Sequence, residues 1–286
     1  MLKLKQPAYS SEQAIEMCRQ GITGNDKLLQ KVDNDMHLLQ ASAVGYAASA
    51  SAGELYTLPS TPNGRDCDPV VVEQLKKSDL LKLYSTYFVK EGKPARVIYN
   101  ALMAAANEKC PFCGGIGRPR NLDHFLPKAH YPQFSVLPVN LVPSCRDCNM
   151  DGKGENFATS EAGQVLQPYL DNERYFNEQW IFARYIADTG GEPGGIEYFV
   201  QPPEHWEDTQ KLRVKKHFND FNLDLRFSKE AGPRLVTYLA QIQALLQIPL
   251  ELEVAKNTIL QPAIDAAPFV NHWERIMCLA LMAEVV

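Results

Sequence analysis

The chain has 286 residues, of which 45% are hydrophobic and 22% charged, with a net charge of −5. That supplies a core for one large or two ordinary soluble domains and excludes a chain coated in basic surface, although a local basic patch could still meet nucleic acid. No apolar run approaches bilayer-spanning length, and the start (Met1 to Pro7) lacks the apolar stretch of a secretory signal, so a cytoplasmic, non-membrane protein is expected.

Residues 1–108 read as helical. Ser10-Ser11-Glu12 caps a helix over Glu12–Arg19 that Gly21 closes. A second helix fits Lys27–Ser51, with Leu28, Leu29, Val32, Met36, Leu39 and Val44 near a helical period. Leu58–Pro69, with three prolines and Gly64, is a loop. Ser78-Asp79 opens another helix, which Gly92 and Pro94 break. Pro94 then suits the first turn of a helix reaching about Asn107. After residue 156 the chain predicts a hairpin of Trp180–Ala187 against Ile196–Gln201, turning through Gly190-Gly191-Glu192-Pro193-Gly194-Gly195. Helical patterning resumes at Asp208, and a last helix fits Val270–Val285. His217 falls in the basic stretch that starts at Lys211, where a solvated face is expected. His130, in His130-Tyr131-Pro132, reads as a turn residue.

The chemistry concentrates between Cys110 and Lys153. Of seven cysteines, four form two Cys-x-x-Cys pairs, Cys110/Cys113 and Cys145/Cys148, with 31 residues between them. Matched pairs at that spacing predict one tetrahedral zinc, and four thiolates close its coordination, so this zinc is structural. Between the pairs stand Asp123 and His124, and Asn149 follows Cys148 directly. Phosphodiester hydrolysis needs a base for water and a cation for the phosphate. His124 can be the base. Asp123 with a second oxygen ligand could hold Mg²⁺. Over residues 109–156 six basic and four acidic side chains leave a net charge of +2 within the acidic chain. Arg118 and Arg120 precede the Asp-His pair, where they could track a backbone.

The segment resembles the HNH endonucleases, the ββα-metal or His-Me finger superfamily. The resemblance implies that Asp123 is the metal carboxylate, His124 the general base, Asn140 the residue that orients the loop carrying the base, and Asn149 the helix ligand. An Asn thus stands where the terminal His of the family motif would be. Lys153 matches a family lysine that could contact phosphate. The wider run Leu122 to Lys128 with Tyr131-Pro132 looks like the subgroup of bacterial anti-phage defence to which the Septu-system nuclease belongs. Gln167-Pro168-Tyr169-Leu170-Asp171, His217-Phe218 and Leu223–Arg226 resemble it more distantly.

The expected fold is mostly α (α+β): a helical body, a zinc-stapled ββα finger and a small β-hairpin. The expected regions are 1–108 (helical), 109–156 (finger) and 157–286 (C-terminal α+β, packing with the N-terminal helices). The expected function is DNA cleavage with a structural Zn²⁺ and a catalytic Mg²⁺ or Mn²⁺. The resemblance adds an ATPase partner, and a second copy of the chain is a further expected contact. The competing readings are a silent zinc scaffold for a protein or nucleic-acid partner, and a nuclease acting on RNA.

Overall fold

A computed structural model describes residues 1–64, 67–188 and 194–284. Helix α1 (Ser11–Gly21) starts one residue before its expected position because Ser10 is the cap. Its hydroxyl accepts from Gln13 N while the Gln13 side chain accepts from Ser10 N. Helix α2 (Asp26–Ala52) is capped by Asn25 and closes on Gly53 in the left-handed region, at φ 79°. Leu28, Val32, Leu39, Ala43, Tyr46 and Ala50 form its buried face.

The stretch between α2 and the next helix departs from the all-helical expectation. Val70–Val72 (β1) and Leu75–Lys76 (β2) pair antiparallel, and the Gln74 amide between them donates to buried Asp35 of α2. Helix α3 (Lys77–Lys82) runs directly into a π-helical turn, Leu83–Phe88, and α4 (Arg96–Ala105) delivers the chain to Cys110. Strand β3 (Asn121–His124) pairs antiparallel with β4 (Leu141–Ser144), with His124 opposite Leu141 and Asn121 opposite Ser144. The expected helix after Cys148 is a short π-helical segment, Asp147–Lys153.

Beyond the finger come α5 (Arg174–Asn177), the hairpin β5 (Ile181–Ile186) and β6 (Gly195–Val200), and helices α6 (Asp208–Asp220), α7 (Leu223–Leu245), α8 (Leu252–Asp265) and α9 (Trp273–Glu284). The hairpin pairs as predicted, and its turn at Gly190–Pro193 lies outside the described residues. No helix of the structure is long and apolar enough to cross a membrane.

Two buried clusters meet at the finger. Helices α1, α3, α4 and the first half of α2 pack with Leu122, Val136 and Leu141. Tyr46 and Ala50 of α2 join Phe125, Phe134 and Val142, the four cysteines, and Trp180, Phe218, Phe227 and Trp273. Leu141 and Val142 point into different clusters because successive strand side chains face opposite ways. The finger is therefore the shared wall of both cores, which fixes its strands from two sides.

His217 corrects the expectation of a solvated face. It is fully buried, with Nε2 bonded to Phe112 O at 2.8 Å and Nδ1 accepting from Leu166 N at 3.1 Å. Both ring nitrogens are used only when the imidazole is neutral, and burial pushes its pKa down to about 3. His124 is also lowered to about 3 and His272 to about 4, chiefly by burial. Asp123, raised to about 6 by burial, acts in the opposite sense below that pH. The three imidazoles outweigh it. Lowered histidines contribute stability that is present above their unfolded pKa of about 6.5 and lost as pH falls toward the folded values. The urea midpoint should therefore drop between pH 7 and pH 4.5, and the drop should be shallower in His217→Gln. An unchanged pH slope in that variant would contradict the assignment.

Candidate active site and metal centre

The two Cys-x-x-Cys turns are built by backbone bonds. Cys110 N donates to Gly117 O and Gly115 N donates to Cys110 O, both at 2.9 Å, and Gly117 N reaches Cys113 Sγ at 3.3 Å. Gly117 has no room for a side chain, because a Cβ there would lie 2.5 Å from Cys145 Sγ. Asn149 N donates to Cys145 O and closes the second turn. All four cysteines are buried free thiols, with their sulfurs within 4.8 Å of one another. Zinc–sulfur bonds of about 2.3 Å place tetrahedral sulfurs about 3.8 Å apart, so the set fits and could hold a structural zinc.

Arg226, on α7, was within a motif of the distant resemblance, but no role followed from its position in the sequence. Its guanidinium donates to Cys148 Sγ at 3.2 Å and Cys145 Sγ at 3.6 Å, and lies 3.4 Å from Asp147. Four thiolates around a dication leave a charge of about −2, which a partly buried guanidinium offsets.

Asp123 and His124 end β3 side by side in sequence and line one cleft of about 330 Å³ with Lys128, Asn149, Met150 and Glu155. His124 is 5% exposed. Its Nε2 lies 2.9 Å from Ser135 O, an atom that only accepts. Nε2 therefore carries the proton and Nδ1 keeps its lone pair. The Ser135 hydroxyl donates to Leu80 O, and the Tyr84 ring stands edge-on to the imidazole at 4.4 Å. Helix α3 and the π turn after it thus hold the ring from the N-terminal side, a contact between residues too far apart in sequence to be anticipated.

Asn140 is fully buried and makes four bonds. Its Oδ1 accepts from Leu126 N at 2.8 Å and Tyr46 OH at 3.1 Å, and its Nδ2 donates to Leu126 O and Phe134 O, both at 3.1 Å. It clamps the loop between β3 and β4 across its neck. Asn149 is half-buried and donates from Nδ2 to Asn121 Oδ1 at 3.0 Å, which leaves its own amide oxygen as an acceptor.

Lys153 differs from its expected role. Its ammonium is buried, donating to His124 O at 2.7 Å and standing 3.3 Å from Asp123 Oδ2, so it does not lie free to meet a phosphate. Burial pushes Asp123 up to about 6 against the pull of this ammonium. Asp123 Oδ2 is buried and accepts no hydrogen bond. A carboxylate and an amide-bearing side chain thus line the same cleft and could serve a hard cation such as Mg²⁺ or Mn²⁺, with the rest of its shell supplied by water or substrate.

His130 sits in a turn, as expected, with its ring 4.8 Å from that of Phe157. The Gln167 to Asp171 motif proves to be packing against the finger. Gln167 Nε2 donates to Val139 O at 2.7 Å, Tyr169 OH donates to Leu141 O at 3.1 Å, and Asp171 pairs with buried Arg213.

The chain is 37% identical over 293 residues to protein ea31 of Escherichia phage lambda, across 98% of this chain and 97% of that protein. It belongs to the ea31 family. A second relative, Septu protein PtuB of Bacillus thuringiensis, is 36% identical over 84 residues, 28% of this chain and 31% of that protein. No established family profile and no solved structure matches. This chain therefore carries a stretch that is similar to part of a Septu protein.

Two measurements test this site. Metal analysis should find one zinc per chain, and stripping it with a chelator, or Cys145→Ser, should lower thermal stability sharply, because metal binding and folding of such a site are linked. Asn140→Ala should cost about 3 kcal/mol in chemical unfolding, since several buried partners lose their bonds at once.

Proposed function

We propose that this ea31-family chain is a metal-dependent HNH endonuclease that hydrolyses DNA phosphodiester bonds. The observation that carries the reading is the fixed tautomer of His124. Nε2–H donates to Ser135 O, and the free Nδ1 belongs to a ring lining the same cleft as Asp123 and Asn149.

Burial holds the imidazole unprotonated throughout the neutral range, with the Nδ1 lone pair unblocked by a proton. An anionic phosphate entering the cleft raises its basicity, because negative charge favours the imidazolium. His124 takes the proton from a water aligned with the scissile phosphorus. Asp123 and Asn149 would hold the divalent ion, which would supply charge neutralisation on the phosphate and the departing oxygen. Asn140 keeps the loop that starts at Phe125 closed, so the Ser135 carbonyl stays where the ring needs it. Exposed Lys128, at the cleft, is placed to meet a phosphate.

The likeness to a Septu protein supports an anti-phage setting, and the family resemblance of the sequence adds an ATPase partner to the reading. The division at 108 and 156 is read as a helical region, a catalytic finger and a C-terminal α+β region, with the helical segments before and after the finger as the surface for a partner or a second copy. Plasmid cleavage in Mg²⁺ tests the core of the reading. His124→Ala should lower cleavage by about 10³-fold or more while zinc content is kept and the protein stays folded. Asp123→Ala or Asn149→Ala should raise the Mg²⁺ concentration needed. Full activity of His124→Ala would remove the base from the mechanism.

A further inference from the structure

The cleft has a charge pattern that the cleavage reading does not use. Asp123 is its buried carboxylate, and Lys153 approaches that carboxylate from the protein interior. Lys153 borders a neighbouring pocket with Phe125, Leu126 and Phe157, and it does not line the cleft that Asp123 shares with His124 and Asn149. Its ammonium stands 3.3 and 3.4 Å from the two carboxylate oxygens and donates to the His124 carbonyl at 2.7 Å. Two adjoining contacts keep it there. Gly152 leaves no room for a side chain beside Phe221, where a Cβ would lie 2.7 Å from the ring, so this end of the π-helical segment seats against the α6–α7 junction. Gly154 N donates to Asn149 O and ties the segment back to the second ligand.

Neutral Asn149 adds no charge. The lone anionic ligand is matched by a buried cation behind it, and exposed Glu155 is matched by exposed Lys128. A divalent cation entering this cleft alone meets a donor set with no net negative charge. With a phosphodiester present it meets one.

Resting on the endonuclease reading, we propose that Lys153 is a positioning residue. It orients Asp123 and offsets its charge, so that the site takes a divalent ion together with a nucleic-acid phosphate rather than beforehand. The two ligands then bind cooperatively, and the coupling is reciprocal.

The test titrates Mn²⁺ calorimetrically into the His124→Ala protein, which does not cut, alone and with a short DNA duplex. The duplex should strengthen Mn²⁺ binding by about tenfold or more. Adding Lys153→Met should tighten Mn²⁺ binding to the free protein by about tenfold and shrink the effect of the duplex, whereas Lys153→Arg should keep the parental behaviour. Zinc content and melting temperature establish that each variant is folded. The comparison with and without duplex needs only the protein that retains Lys153, and so decides the matter even if the methionine variant does not fold. Equal Mn²⁺ affinity with and without duplex overturns the proposal and leaves the endonuclease reading standing. So does a folded methionine variant that binds like its parent. Absence of Mn²⁺ binding in every state removes the metal site itself, and the proposal falls with it.

Discussion

Four sulfurs within 4.8 Å of one another set the geometry on which the candidate site depends. They join the turn before β3 to the turn after β4, and so close the finger at one end. The other end is closed by the Asn140 amide, which binds the loop to itself across its neck. Between these two closures the strands have little freedom. Asp123, His124 and Asn149 come to one cleft because both ends of the hairpin are pinned.

The surrounding helices are arranged to support this piece. Each face of the β3–β4 ladder belongs to a different core, one built mainly from the N-terminal helices and one mainly from the C-terminal ones. Polar contacts follow the same plan. Leu80 holds Ser135, Tyr46 holds Asn140, Tyr169 holds β4, His217 holds the first cysteine turn and Arg226 holds the second. Each of these supports comes from a segment well removed in sequence from the residue it fixes. The finger is small, and a two-stranded ladder is marginal alone, so its order has to come from such contacts.

Electrostatically, the site contains two buried titratable groups that face opposite demands. His124 is neutral because burial disfavours its charge. Asp123 is raised for the same reason and kept usable by Lys153. The same low-dielectric surroundings that keep the imidazole neutral also make an unmatched carboxylate costly, and the buried lysine is the compensation.

The cysteine pairs, the Asp-His dipeptide, Asn149 and the helix-rich character were legible from spacing and residue type alone, and Asn140 from the family resemblance. Those features are local, since metal-ligand spacing, cap residues and helical periodicity all act over a few neighbours. The hairpin over Ile181–Val200 was legible for the same reason. Three things needed the tertiary structure. The β1–β2 pairing rests on a buried Asp35 from another element. His217, in a run of basic residues, is buried because two backbone groups distant in sequence use its two nitrogens. Lys153, expected to face phosphate, turns inward because a buried carboxylate and a strand carbonyl outbid water for its ammonium. Local pattern picked out the candidate groups. Long-range burial decided their protonation and partners, because desolvation depends on what packs over a residue and not on what adjoins it in the chain.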